Sequence, residues 1–227
     1  MAIARTPVIR VAIVAIVTGA LQFASYGPVL SASSETSARE LTLTLASTQP
    51  LPSASASALI AEATAIWKES RVALRWVAAG SEEQHAVLRV LVKAGLVPSG
   101  ELSPMTVGEL VRGEGSRALA TASITGARRI VDESGWRFDD LPAMRERRLG
   151  LVLGRAVAHE IGHYLLGTNT HSTQGLMRAR IDAREFADLR SGSFRLDRAA
   201  QARLDTLAAR GPLPLEAPSA GFSYSWP

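Results

Sequence analysis

One stretch constrains this chain more than any other. Between Pro142 and Gly167, residues Leu149, Val152, Ala156, His159 and His163 fall three and four apart, which places them on a single helix face. The pattern predicts a long helix that begins near Pro142–Met144, with Asp139 or Asp140 available as an N-cap and Gly167 as a left-handed stop. Gly150, Gly154, Ala158 and Gly162 make a second stripe at intervals of four. A glycine inside a helix costs about 1 kcal/mol relative to alanine. The stripe therefore marks either a weak helix or a face on which another backbone packs very closely, and we expect the second.

The helix ends in His159-Glu160-Ile161-Gly162-His163. Residues four apart are rotated by about 400°, so the two imidazoles project from one side, one turn apart. Two nitrogen donors so placed suit a tetrahedral zinc ion. Glu160 is offset by about 100°, within reach of a water at the metal without being a ligand itself. The pattern is a known metallopeptidase motif. His171 follows just beyond Gly167, where a chain reversal can bring in a third imidazole, and three of the four histidines lie between 159 and 171. The expected metal ligands are thus His159, His163 and His171, with Glu160 as general base. The alternatives are histidines without a metal and, for His171, an exposed loop residue. The fourth, His85, has apolar neighbours and is expected to be no ligand.

The rest of the chain reads as alternating strands and helices. Leu41, Leu43 and Leu45 alternate with threonine as in a strand, and Leu59, Ile60, Ala63, Ile66 and Trp67 give a helix over about Ser55–Ser70. Further strands are expected at Val72–Trp76, after which Gly80-Ser81 forms a turn, and at His85–Val92, Arg117–Thr125 and Arg128–Asp132, with a long loop over Pro98–Gly115. A last helix runs from about Asp197, its N-cap, to Arg210, buries Leu204 and Leu207 and stops at Gly211-Pro212. Trp67, Trp76 and Trp136 suit core or cleft-wall positions. This gives a domain over about 40–211 and a Pro-, Ser- and Gly-rich tail, 212–227, expected to be loose.

The motif, with a following glycine, histidine and Met177, resembles the metzincin zinc peptidases, and Ser172 directly after the third histidine is similar to the matrixin-like group. Arg117–Ala122 is similar to that family's edge strand above the cleft, and Ile130–Trp136 to the strand and acidic turn before the catalytic helix. The resemblance implies an α+β, zincin-like fold: a mixed, twisted sheet of about five strands packed on a zinc-binding helix, with a C-terminal helix. It implies a peptide substrate extended along Leu119–Ala122, and Met177 as an apolar floor beneath the metal. Two departures stand out. Leu166 occupies the place of the family's glycine, so Gly167 and His171 each follow a gap one residue longer, and Ala179 stands where some members carry a tyrosine.

Composition excludes several other chemistries. With no cysteine there is no disulfide, thiolate ligand or Cys nucleophile. The net charge is +4, but the arginines are scattered among acidic residues without interleaved aromatics, so nucleic acid is not an expected partner. Arg5 and Arg10 precede an apolar run, Val11–Leu21, shorter than a membrane span, so 1–33 reads as a signal peptide or anchor plus linker. The expected protein is secreted or periplasmic, touching a membrane only if that segment is not cleaved. A zinc amidase or deacylase, or a zinc-stabilised binding module without turnover, are the competing functions.

Overall fold

Leucines on alternate positions give β1 (Arg39–Ser47) one buried face, with Leu41 and Leu43 at most 1% exposed. Its parallel partner β2 (Val72–Val77) follows α1 (Ser53–Glu69), the crossover that a parallel pair requires. These elements belong to a computed structural model that describes residues 39–77, 86–95, 107–112, 118–135, 141–190, 192–211 and 223–225. The N-terminal segment, Gly80-Ser81, His85, Trp136, Asp139 and Asp140 lie outside the described residues.

The sheet continues through β3 (Leu88–Lys93), β5 (Ala118–Ser123), β4 (Gly108–Arg112) and β6 (Ser223–Ser225), in the order β2-β1-β3-β5-β4-β6. The first four strands in that order are parallel, whereas β4 runs antiparallel to both of its neighbours. The fold is a mixed α/β arrangement whose sheet is mostly parallel. Its core lies between the sheet and the pair α1 and α3 (Pro142–Leu166).

Several expectations are corrected here. The presumed loop over Pro98–Gly115 contains β4; punctuation by Gly, Pro and Ser concealed a strand whose burial alternates over 108–111. The strand expected at Arg128–Asp132 is the second half of a helix, α2 (Ile124–Glu133). Ile130-Val131 has β-branched character, but Ile124, Ala127 and Ile130 are buried at helical spacing, and the Ser123 side chain caps the helix by accepting from the Gly126 N–H. Ile130–Gly135 is thus a helix end and not a strand with an acidic turn. Ala118–Ala122 does lie in β5, but β5 is an interior strand, and the antiparallel strand beyond it is β4. The tail expected to be loose contributes β6.

The long helix forms over the expected span, but its N-cap is Leu141, which makes no side-chain cap, and not Asp139 or Asp140. Pro142 sits in its first turn, and Gly167, at φ 59°, ends it in the left-handed region. From Arg148 to Leu166 every residue but Tyr164 is buried, as for a helix enclosed on all sides. The glycine stripe marks close packing. A Cβ at Gly154 would sit 2.7 Å from the Leu59 carbonyl oxygen, and one at Gly150 would collide with the Ser55 carbonyl. Both of those oxygens belong to α1, so the glycines are where the two helix backbones meet. Trp67 of α1 fills the next turn, its indole N–H donating to the Ala158 carbonyl at 3.1 Å.

The guanidinium of Arg155, fully buried in the same helix, bonds Glu62 of α1 at 2.8 Å and the carbonyls of Glu185, Phe186 and Arg190. It also stacks 4.1 Å above the Phe194 ring. One charge thereby ties α1, α3 and the chain after Met177 together. The short α4 (Ala183–Phe186) and α5 (Arg198–Ala209) complete the fold, with Asp197 capping α5 through the Ala200 N–H and Leu204 buried as expected. Among the described residues, no helix is long and apolar enough to cross a membrane.

Candidate metal centre

The last two turns of α3 carry His159, Glu160 and His163, all at most 3% exposed. The left-handed turn at Gly167 reverses the chain and returns His171, which is exposed, to the two helical rings. One ligand atom from each of the three imidazoles lies within 4.8 Å of the other two. The ring centroids are 4.7 Å apart for His159–His163, 4.9 Å for His163–His171 and 5.3 Å for His159–His171. The structure therefore brings together all three histidines picked out from the sequence. The longer gaps on either side of Gly167 are absorbed by the loop 168–171.

Backbone carbonyls orient both helical rings. His159 Nδ1 lies 2.8 Å from the Leu176 carbonyl oxygen, and His163 Nδ1 lies 2.8 Å from that of Thr168. A carbonyl only accepts, so each Nδ1 must carry the proton and donate it. In a neutral ring the lone pair then sits on Nε2, the tautomer and orientation a metal ligand requires. Burial holds the His159 pKa well below 6.5, the charge of a protonated His163 adds to this, and the bond to Leu176 opposes it only in part. Partial burial lowers His171 as well.

The segment that supplies those carbonyls is itself pinned. The Ser172 N–H donates to the Met177 carbonyl at 2.8 Å, and the Leu176 N–H to the Arg195 carbonyl at 2.7 Å. Gly175 turns at φ 71°, and a Cβ there would collide with the Arg195 carbonyl, so no side chain fits. Met177 is buried with its sulfur packed on Gly162, between Glu160 and His163 in sequence. A side chain at Gly162 would displace that sulfur. This agrees with an apolar floor under the site.

Glu160 is 1% exposed, and its Oε1 has no hydrogen-bond partner among the described residues. Burial raises its pKa well above 4.5, and the charge of Glu109 raises it further. Its carboxyl lies against β4: a Cβ at Gly108 would sit 2.6 Å from Oε1. Gly108 and Glu109 are the site residues missed in the sequence. A strand glycine signals close approach of another group, but that signal is readable only once β4 is recognised as a strand.

A cavity of about 370 Å³ adjoins the triad, lined by Leu166, His171, Met177 and Arg203 among others. Three imidazoles and no thiolate form a donor set suited to zinc, with one coordination position left for a reactant. A buried carboxyl oxygen with no partner among the described residues is what a neighbouring metal-site water would satisfy. The residues present therefore fit a bound zinc ion.

No protein-family model matches this sequence, and no curated protein matches it. Among solved structures, the chain is similar to archaemetzincin from Methanopyrus kandleri, at 14% identity over 78% of this chain and 99% of that one, with a TM-score of 0.44.

Proposed function

We propose that this chain is a zinc-dependent peptidase in which His159, His163 and His171 hold the metal and Glu160 is the general base. The observation that carries the reading is the pair of carbonyl-anchored imidazoles meeting a third, alongside a buried carboxyl oxygen without a partner among the described residues. When bound, zinc supplies Lewis acidity and lowers the pKa of water from about 15.7 to about 7. Glu160 takes the proton of the attacking water and delivers it to the departing amine. A raised pKa suits that role, because the carboxyl must both accept the proton and release it. Leu176 and Thr168 keep two imidazoles aimed at the cation throughout, and Met177 keeps water from beneath it.

The test uses purified protein, with zinc analysis and a peptide library assayed with and without a chelator. The wild type is expected to hold one zinc and to cleave only without chelator. Glu160→Ala should retain the metal and lose about 10²–10⁴ in rate, the usual contribution of general base catalysis. His171→Ala should lose stoichiometric zinc. Full peptide cleavage by Glu160→Ala, or zinc bound without any cleavage by the wild type, would refute the assignment.

A further inference from the structure

The strand that touches Glu160 has two edges. One edge of β4 pairs with β5 inside the sheet, and the other pairs with the chain's own segment Ser223–Ser225. The register is antiparallel: Val111 faces Ser223, Leu110 faces Tyr224 and Glu109 faces Ser225. Going up in number, the tail therefore advances along β4 toward Gly108, whose α-carbon borders the Glu160 carboxyl.

Resting on the peptidase reading above, with an extended peptide paired to the outer edge of β4, we propose that Ser223–Ser225 is an intramolecular occupant of that edge which a substrate must displace. Strands in a sheet lie roughly 4.8 Å apart. A peptide paired directly with β4 lies one spacing from the backbone that borders Glu160, whereas one added outside β6 lies two, roughly 9.6 Å. Of these two positions, the one held by the tail brings an extended chain nearer the site. Recognition there is through main-chain N–H and C=O groups, which every peptide carries, so tail and substrate compete on equal terms. Three paired residues hold weakly. The tether offsets this by keeping the occupant at an effective concentration of order millimolar. The tail is thus held by proximity and not by affinity, and remains displaceable.

The experiment compares the full-length, zinc-loaded wild type with a variant carrying Ser223→Pro, Tyr224→Pro and Ser225→Pro. Whichever N–H groups face β4, the three prolines remove them. Amide exchange over 109–111, binding of a labelled synthetic peptide with the sequence of residues 221–227, and cleavage of a peptide substrate are measured on both. The variant is expected to exchange faster over 109–111, to bind the added peptide more tightly, and to show kcat/KM about 2–10-fold higher, mainly through KM. Unchanged exchange and binding, with both proteins cleaving equally, would overturn the proposal and leave the peptidase reading standing. Faster exchange with unchanged kcat/KM would also overturn it, since the tail would then be a sheet strand that blocks nothing. Faster exchange and tighter binding with no cleavage by either protein would uphold the occupied seat and remove the peptidase reading.

Discussion

The candidate metal centre is built from two regions that hold their imidazoles by different means. His159 and His163 ride on a helix enclosed by the core, where position is fixed by side-chain packing and by glycines that let α1 approach. His171 sits on an exposed reversal, where position is fixed by one left-handed residue and a few backbone hydrogen bonds. Packing is cooperative and intolerant of volume. A backbone reversal tolerates volume but not the loss of its dihedral angles. The same element, glycine, serves both regions for opposite reasons.

Substituting each glycine separates the two mechanisms. At Gly154 the first added carbon already meets the Leu59 carbonyl oxygen at 2.7 Å and Glu62 Cβ at 2.9 Å. Gly154→Leu should therefore force α1 and α3 apart and cost about 3 kcal/mol or more, well beyond the roughly 1 kcal/mol gained in helix propensity. Denaturant unfolding of the metal-free protein measures it; stability equal to wild type would mean that the helices do not touch at this stripe. At Gly167 nothing lies within 4 Å of an added Cβ, so only φ 59° resists a side chain. Gly167→Ala should cost about 1 kcal/mol of stability. Its larger consequence should be weaker zinc binding, because the turn that returns His171 is disturbed. A zinc competition titration with unchanged affinity would separate Gly167 from the placement of His171.

The contrast also explains what could be read from the sequence. The helix was legible to its last residue, because a period of 3.6, a proline in the first turn and a glycine at the end all agree. The histidine cluster was legible because two of its members lie on that helix and the third follows its stop closely. The upper wall of the site was not. Val107–Arg112 is too short and too near Gly113, Gly115 and Pro104 for its alternation to stand out, and it becomes a strand through pairing with β5. Tertiary context likewise decided α2, where the local preference of Ile130-Val131 for strand lost to the buried face through Ala127. The carbonyls of Thr168 and Leu176 are invisible to any reading of side chains, since every residue has one. Their identity depends only on where the loop runs.

The smallest effect expected lies at the far end of that loop. Arg178, the residue after Met177, makes a two-bond pair with Glu185 at 2.5 and 3.0 Å, and its Nε donates to the Gly175 carbonyl at 3.0 Å. This joins the floor of the site to α4 through charge and not through packing. The hydrogen bonds and charge of Arg178 hold the Glu185 pKa below its ordinary value of 4.5, despite an opposing contribution from burial. Because the folded value is the lower one, the protein binds fewer protons folded than unfolded between the two values. The pair therefore stabilises the fold fully above the ordinary carboxylate range, and this contribution is lost as the pH falls through the depressed folded value. Glu185→Gln should lower stability near neutral pH by a modest amount, since the pair is partly exposed and screened. The gap between variant and wild type should narrow steadily as the pH is taken below about 4.5. Thermal unfolding of both metal-free proteins across that range tests it; a gap independent of pH would mean that Glu185 acts there through shape alone, and that the reversal leans on backbone bonds without help from charge.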